Sequence, residues 1–143
     1  VGAQSQAIVA SLTAKIELAA KALVLEILAN LIAATPVDTG WARANWIPSI
    51  GSPATSAVGT PQSVSTSEQT AGQAAVLQFV LDQAVMYVSN HVPYITVLNY
   101  GHSKQAPALF VEFCIDQALH TVQQRFGVDT GALRAANASR ALG

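Results

Sequence analysis

Residues 93–107, PYITVLNYGHSKQAP, decide how the chain is read, because no other segment packs so many unlike structural demands together. Pro93 ends an extended segment and starts a turn, since its ring fixes φ and removes a donor. Tyr94, Val97 and Leu98 recur at i, i+3 and i+4, which predicts a short helix with three bulky groups on one side. Gly101 closes it, in the left-handed position at a helix C-terminus that a residue with a Cβ adopts only under strain. His102, Ser103, Lys104 and Gln105 must then form a tight connection, because Pro107 suits the first residue of another helix. A polar loop pinned between two helices is what a fold presents to a partner.

Working outward, residues 107–126 predict a helix with Val111, Ile115, Ala118, Val122 and Phe126 on one line. Glu112, Asp116, His120 and Gln123 form its polar line. Upstream, residues 84–89 alternate as a strand, and residues 71–81 show helical spacing through Ala75 and Phe79. Residues 51–70 are rich in Ser, Thr, Pro and Gly and carry only Glu68 as a charge, so they read either as a mobile surface loop or as an arm ordered by assembly. Residues 44–50 read as extended, with Pro48 marking an edge strand. Val37-Asp38-Thr39-Gly40-Trp41-Ala42-Arg43 reads as a capped turn in which Asp38 and Thr39 bond nearby N–H groups and Gly40 takes positive φ.

The chain opens with a long helix, residues 5–34, on which Ile8, Leu12, Ile16, Ala19, Leu23, Ile27 and Leu31 follow helical spacing. At 1.5 Å per residue it spans about 45 Å, more than so small a core needs, so one end is expected to project or to pack on another subunit. Thr35-Pro36 ends it, because the residue before proline is pushed out of the helical region. The class is therefore α+β: two principal α-helices packed on a small antiparallel β-sheet, with a long loop and a C-terminal arm. Residues 1–127 form the domain and residues 128–143 the arm, with Gly127 as the hinge between them. In the arm, Val128-Asp129-Thr130-Gly131 echoes Val37-Asp38-Thr39-Gly40, and Arg134-Ala135 echoes Arg43-Ala44. Chance accounts for one such echo in alanine- and glycine-rich sequence; as a short helix the arm buries little alone and is expected to lean on a neighbour.

Composition bounds the function. The 143 residues suit one domain with a real core. Charged residues make up 10% against about 25% in ordinary soluble proteins, while 51% are hydrophobic, so much of the surface must be neutral. That suits a subunit that buries surface against neighbours, although an alanine-rich monomer gives similar figures. Net charge is −1 with seven Lys and Arg, which argues against tight binding to a phosphate backbone. Cys114 is the single cysteine, so neither an internal disulfide nor a thiolate cluster is expected. The most apolar stretch, residues 18–34, is interrupted by Lys21, Glu26 and Asn30, so it is read as a non-membrane helix, and no targeting segment is apparent.

Several short motifs occur together in order. They are Thr35-Pro36-Val37-Asp38-Thr39-Gly40, then Arg43-Ala44-Asn45-Trp46, then Tyr87-Val88-Ser89-Asn90, then Pro93-Tyr94, then Asn99-Tyr100-Gly101-His102-Ser103-Lys104-Gln105-Ala106-Pro107. In this order they resemble the tail-completion and head–tail joining (neck) proteins of long-tailed phages, the group that includes minor tail protein Z. The likeness runs over residues 35–122 and departs from the family at Trp41 and after Gly127. It implies a structural virion protein at the neck, forming a ring, commonly hexameric, around the DNA channel and using neither cofactor nor metal. Head-connector and tail-terminator or tail-tube proteins would adjoin it. DNA would pass through without specific binding, and the host cytoplasm would be its site before assembly. The expected contact residues are Val37, Asp38, Thr39, Gly40, Trp41 and Arg43 in the turn, and Tyr94, Tyr100, Gly101, His102, Ser103, Lys104 and Gln105 in the central stretch, with Arg134 and Arg140 in the arm.

Two other classes compete. A small hydrolase or metal enzyme would draw on His102 and on His91, His120, Asp82, Asp116 and Ser103, but neither HExxH, paired CxxC nor a GxSxG elbow appears. His120 falls on a polar helix line and Cys114 beside Phe110 and Phe113, which suit solvent and core respectively. A protein-binding adaptor outside phages would share the sticky faces and lack the closed ring. Trp41 and Trp46 have flat faces that bases stack on, but two aromatics flanking a turn are more often packing groups.

Overall fold

The computed structural model describes residues 2–82, 84–101 and 103–127; the expected contact residues His102, Arg134 and Arg140, and the arm as a whole, lie outside them. Among the described residues the order is α1 (Ala3–Ala34), α2 (Trp41–Ala44), β1 (Ile47–Ile50), α3 (Ser67–Leu77), β2 (Met86–Ser89), α4 (Ile95–Asn99) and α5 (Phe110–Phe126). This is the expected α+β arrangement. The antiparallel ladder pairs Ile47 with Ser89, Pro48 with Val88, Ser49 with Tyr87 and Ile50 with Met86. With two strands both are edges, so the missing N–H of Pro48 is tolerated.

The core lies where the second half of α1 meets α5. Leu28 and Leu31 of α1 pack with Trp46, Ala106, Phe110 and Cys114, and Ile95 and Leu98 of α4 close one side. Burial raises the Cys114 thiol pKa, in keeping with its place in the core. The short helix α4 turns Ile95 and Leu98 inward and leaves Val97 half exposed, so its apolar spacing is right but its inner side is rotated.

Three other expectations need correction. The helix expected to begin at Pro107 begins at Phe110, because Ala106 is buried and Leu109 takes a left-handed conformation, φ 60°. Asn99 stabilises that turn: its carbonyl accepts from Leu109 N, its side-chain oxygen accepts from Val111 N at 2.9 Å, and its amide donates to Glu112. The buried line of α5 is therefore Phe110, Cys114, Ala118, Leu119 and Val122, and Val111, Ile115 and Phe126 move to its flank. Phe110, 1% exposed, sets that rotation by docking on Leu28 and Leu31.

Helix α3 runs over Ser67–Leu77, four residues earlier than the apolar spacing indicates. Its polar start is the cause: Gln69 is buried and donates to Arg43 O and Trp46 O, so a residue that reads as loop is an inward anchor. At the other end Gln78 N and Phe79 N turn back to Ala75 O and Val76 O, ending the helix while still burying Phe79. In keeping with a helix longer than the core needs, the first residues of α1 contribute nothing to the core. Ile8, Leu12 and Ile16 are 61%, 55% and 52% exposed, and the first buried residue is Ala19. No helix among the described residues is long and apolar enough to cross a membrane.

Gly72 of α3 faces β1 at a close backbone approach. A Cβ there would overlap the Pro48 carbonyl oxygen and come within 2.8 Å of the Pro48 ring. Gly72→Ala must push α3 off the strand, and overpacking of this kind costs about 1–3 kcal/mol. Urea unfolding followed by circular dichroism is expected to show that loss, with a cooperative transition retained.

Candidate functional site

Thr35 ends α1, and three groups converge on it. Its hydroxyl donates to Leu31 O and accepts from Trp46 Nε1 at 2.7 Å, while its carbonyl accepts from Arg43 Nη2 at 3.0 Å. Pro36 then turns the chain outward, and Gly40, φ 87°, provides the left-handed residue that starts α2. Thr39 Oγ1 accepts from Trp41 N at 3.2 Å, the side-chain-to-backbone bond expected of this turn. Trp41 Nε1 donates to Val58 O, and its ring tilts against Tyr94 with centroids 6.0 Å apart. Both indole N–H groups are thus satisfied within the chain, and Trp46 is buried in the core.

The central stretch meets this turn directly. Gly101, φ 92°, follows α4 as the spacing requires, and Ser103 Oγ accepts from Gln105 N at 3.0 Å. Gln105 then grips the backbone of Val37 from both sides: its Oε1 accepts from Val37 N at 2.9 Å and its Nε2 donates to Val37 O at 3.1 Å. A side-chain amide that satisfies one residue's donor and acceptor mimics a strand pair and fixes the spacing between two loops. Segments 68 residues apart become one surface.

Between them lies an open cleft of about 580 Å³. Val37, Asp38, Thr39 and Gly40 form one wall, Ser103, Lys104 and Gln105 the other, and Tyr94 and Leu98 come from the α4 region. The structure thus brings together eight of the sequence-predicted contact residues. Tyr100, 63% exposed, stays on the open surface, and Gly101 acts on the backbone. Arg43 is turned inward as a brace on Thr35, with its Nε buried and without a partner. Asp38 and Lys104 bring opposite charges to the facing walls. Burial, and then the Asp38 carboxylate, raise the Tyr94 pKa above the ordinary tyrosine value, so the cleft holds a neutral phenol.

Sequence reasoning missed Pro61, which reaches the cleft from the long loop. That loop is held by a reciprocal clamp: Asn45 Oδ1 accepts from Val58 N at 2.7 Å and Asn45 Nδ2 donates to Val58 O at 3.0 Å. Asn90 completes the support by donating to Ala42 O at 2.8 Å and accepting from Val92 N. The signal was present in Asn45, 1% exposed amid apolar neighbours, because a buried amide must find partners.

Among the described residues, the groups that a hydrolase would need are dispersed. His91 contacts Ala54 O, Asp82 Oδ1 accepts from Ala84 N, Ser103 lines the cleft above, and Asp116 and His120 line a separate cleft between α1 and α5. Among the described residues no group of three or more His, Cys, Asp or Glu is placed to hold a metal ion. No family model, curated protein or solved structure matches the chain.

Two outcomes follow. Gln105→Ala is expected to speed hydrogen exchange at the Val37 amide by about tenfold while lowering global stability by no more than about 1 kcal/mol, since the bonds are solvent-exposed. For Tyr94, the raised pKa means that its contribution to stability is complete below the ordinary value near 10 and is lost as pH rises through the folded value. Asp38→Asn removes the smaller of the two causes and is expected to lower that pKa part of the way. Ultraviolet titration in a Tyr87→Phe, Tyr100→Phe background reads this directly.

Proposed function

We propose that the chain is a structural subunit of a long-tailed phage neck, forming a ring that completes the tail and joins it to the head around the DNA channel. The observation that carries this reading is the convergence of the turn and the central loop on one clamped cleft, because these are the segments in which the family resemblance is concentrated. The asparagines in those motifs also have a physical reason to be there. Asn45, Asn90 and Asn99 each fix a loop or a helix start through backbone groups.

In this reading the ring is hexameric and sits between head-connector and tail-terminator or tail-tube rings. The cleft and its Asp38 and Lys104 walls form a contact with a neighbouring subunit or ring. A subunit in such a ring uses heterologous contacts that close by rotation, which requires two different adhesive faces on one chain. Seven Lys and Arg suit a wall that DNA slides past, because each additional phosphate contact strengthens binding by counterion release. The protein has a scaffolding role without turnover, in the virion once assembled and in the host cytoplasm before that.

Electron microscopy of virions tests the reading. Density for this chain is expected at the head–tail junction as a closed ring, with residues 37–41 and 103–105 against a neighbour. Particles made without the protein are expected to accumulate as filled heads and separate tails. A position elsewhere in the virion, or normal joining in its absence, would overturn the proposal.

A further inference from the structure

The first half of α1 contributes nothing to the core and bonds the rest of the fold at Glu17, which accepts from Leu81 N. Residues 3–18 include no buried residue, and Ile8, Leu12 and Ile16 repeat every four positions along one side. No charged residue occurs before Lys15. An apolar stripe on a helix is a surface built to be covered. Further along, an apolar groove of about 420 Å³ opens between α1, the end of α3 and the end of α5. Leu18, Leu25, Leu77 and Phe126 line it together with Lys21, Glu26 and Arg125; Leu18 and Leu77 are each 57% exposed.

We propose that the stripe of one copy docks in the groove of a second copy. A molecule's own stripe cannot reach its own groove, because Ile8 to Ile16 and Leu18 to Leu25 lie in succession on one continuous helix. The charges select another copy of this chain as the occupant. Lys21 is paired with Glu17, and Arg125 lies over the Phe126 ring, whereas among the described residues neither Glu26 nor Lys15 has an ion pair or side-chain hydrogen bond. Lys15 lies within the stripe, between Leu12 and Ile16, and Glu26 lines the groove, so docking brings the two opposite charges together. Donor and acceptor differ, so the contact is heterologous: each copy offers one stripe and one groove, and successive copies add until rotation closes the set.

This inference rests on the self-assembly in the proposed function and not on its place in a virion. Native mass spectrometry of the full chain, with multi-angle scattering, tests it using Leu12→Glu in the stripe and Leu77→Glu in the groove. Both sites are more than half exposed, so the fold is expected to survive, and circular dichroism checks that it has. The wild type is expected as a closed oligomer and each variant alone as a monomer. Their equimolar mixture is expected as a one-to-one dimer and nothing larger, because only one of the two possible contacts remains intact. Lys15→Glu is expected to weaken association about threefold, and adding Glu26→Lys to restore it.

A wild-type monomer would overturn both this inference and the ring. Variants that still assemble as the wild type does would overturn the inference alone. Loss of assembly with Leu12→Glu but not Leu77→Glu would show stripe pairing with stripe, and would overturn it as well.

Discussion

A helix that must stop at a buried position needs something to take its last carbonyls and to aim the chain that follows. Here that constraint is met at Thr35, which is 1% exposed. Pro36 forbids a further helical turn, and the Thr35 hydroxyl returns to Leu31 O. The same oxygen receives the indole N–H of Trp46, so the end of α1 is joined to the entry of β1 through the core. The Thr35 carbonyl holds Arg43. With both ends of the 36–46 segment tied to one residue, the turn has few conformations left. Removing the hydroxyl would leave the Trp46 N–H buried and unsatisfied, which generally costs more than the bond itself contributes. The cleft, built from Val37 to Gly40, inherits its position from this junction.

Beyond Thr35, the loops are held by neutral amides rather than by ion pairs. Asn45, Gln69, Asn90, Asn99 and Gln105 bond backbone groups across sequence gaps of up to 68 residues. An amide carries both a donor and an acceptor, so one side chain can satisfy both polar groups of a loop residue. It does so without the desolvation cost of burying a charge. This explains how a chain with 10% charged residues orders a long irregular segment such as 51–66. Specific geometry is achieved while the surface stays nearly neutral.

What was legible in the sequence, and what was not, follows the same division. Periodicity identified α1 and α5 because long apolar repeats leave little alternative, and Gly40 and Gly101 marked the positive-φ turns on either side of the cleft because few other residues fit there. The start of α3 was hidden because Gln69 faces inward for hydrogen bonds, and a hydropathy pattern assigns it to the surface. The rotation of α5 was hidden because it is fixed by Leu109 and Asn99, a left-handed leucine and a long-range cap that local spacing does not encode. At the site, both walls were named from turn chemistry and polarity. Their meeting depends on Gln105 and Val37, a tertiary bond with no local signature.

The two surfaces left over have opposite physical character, and that difference constrains how they work together. The cleft is polar, preset by hydrogen bonds, and carries Asp38 and Lys104 on facing walls; such a surface selects a partner by matching donors and charges. The free half of α1 is apolar and nearly uncharged; such a surface supplies affinity with little discrimination. The cleft depends on the end of α1 at Thr35, whereas the stripe lies before Ala19, so occupation of one leaves the residues of the other untouched. Self-association through the helix would therefore leave the cleft free to recognise a chemically different neighbour. A subunit that must bind copies of itself sideways and a different ring axially needs this separation, because one surface serving both would place the two partners in competition.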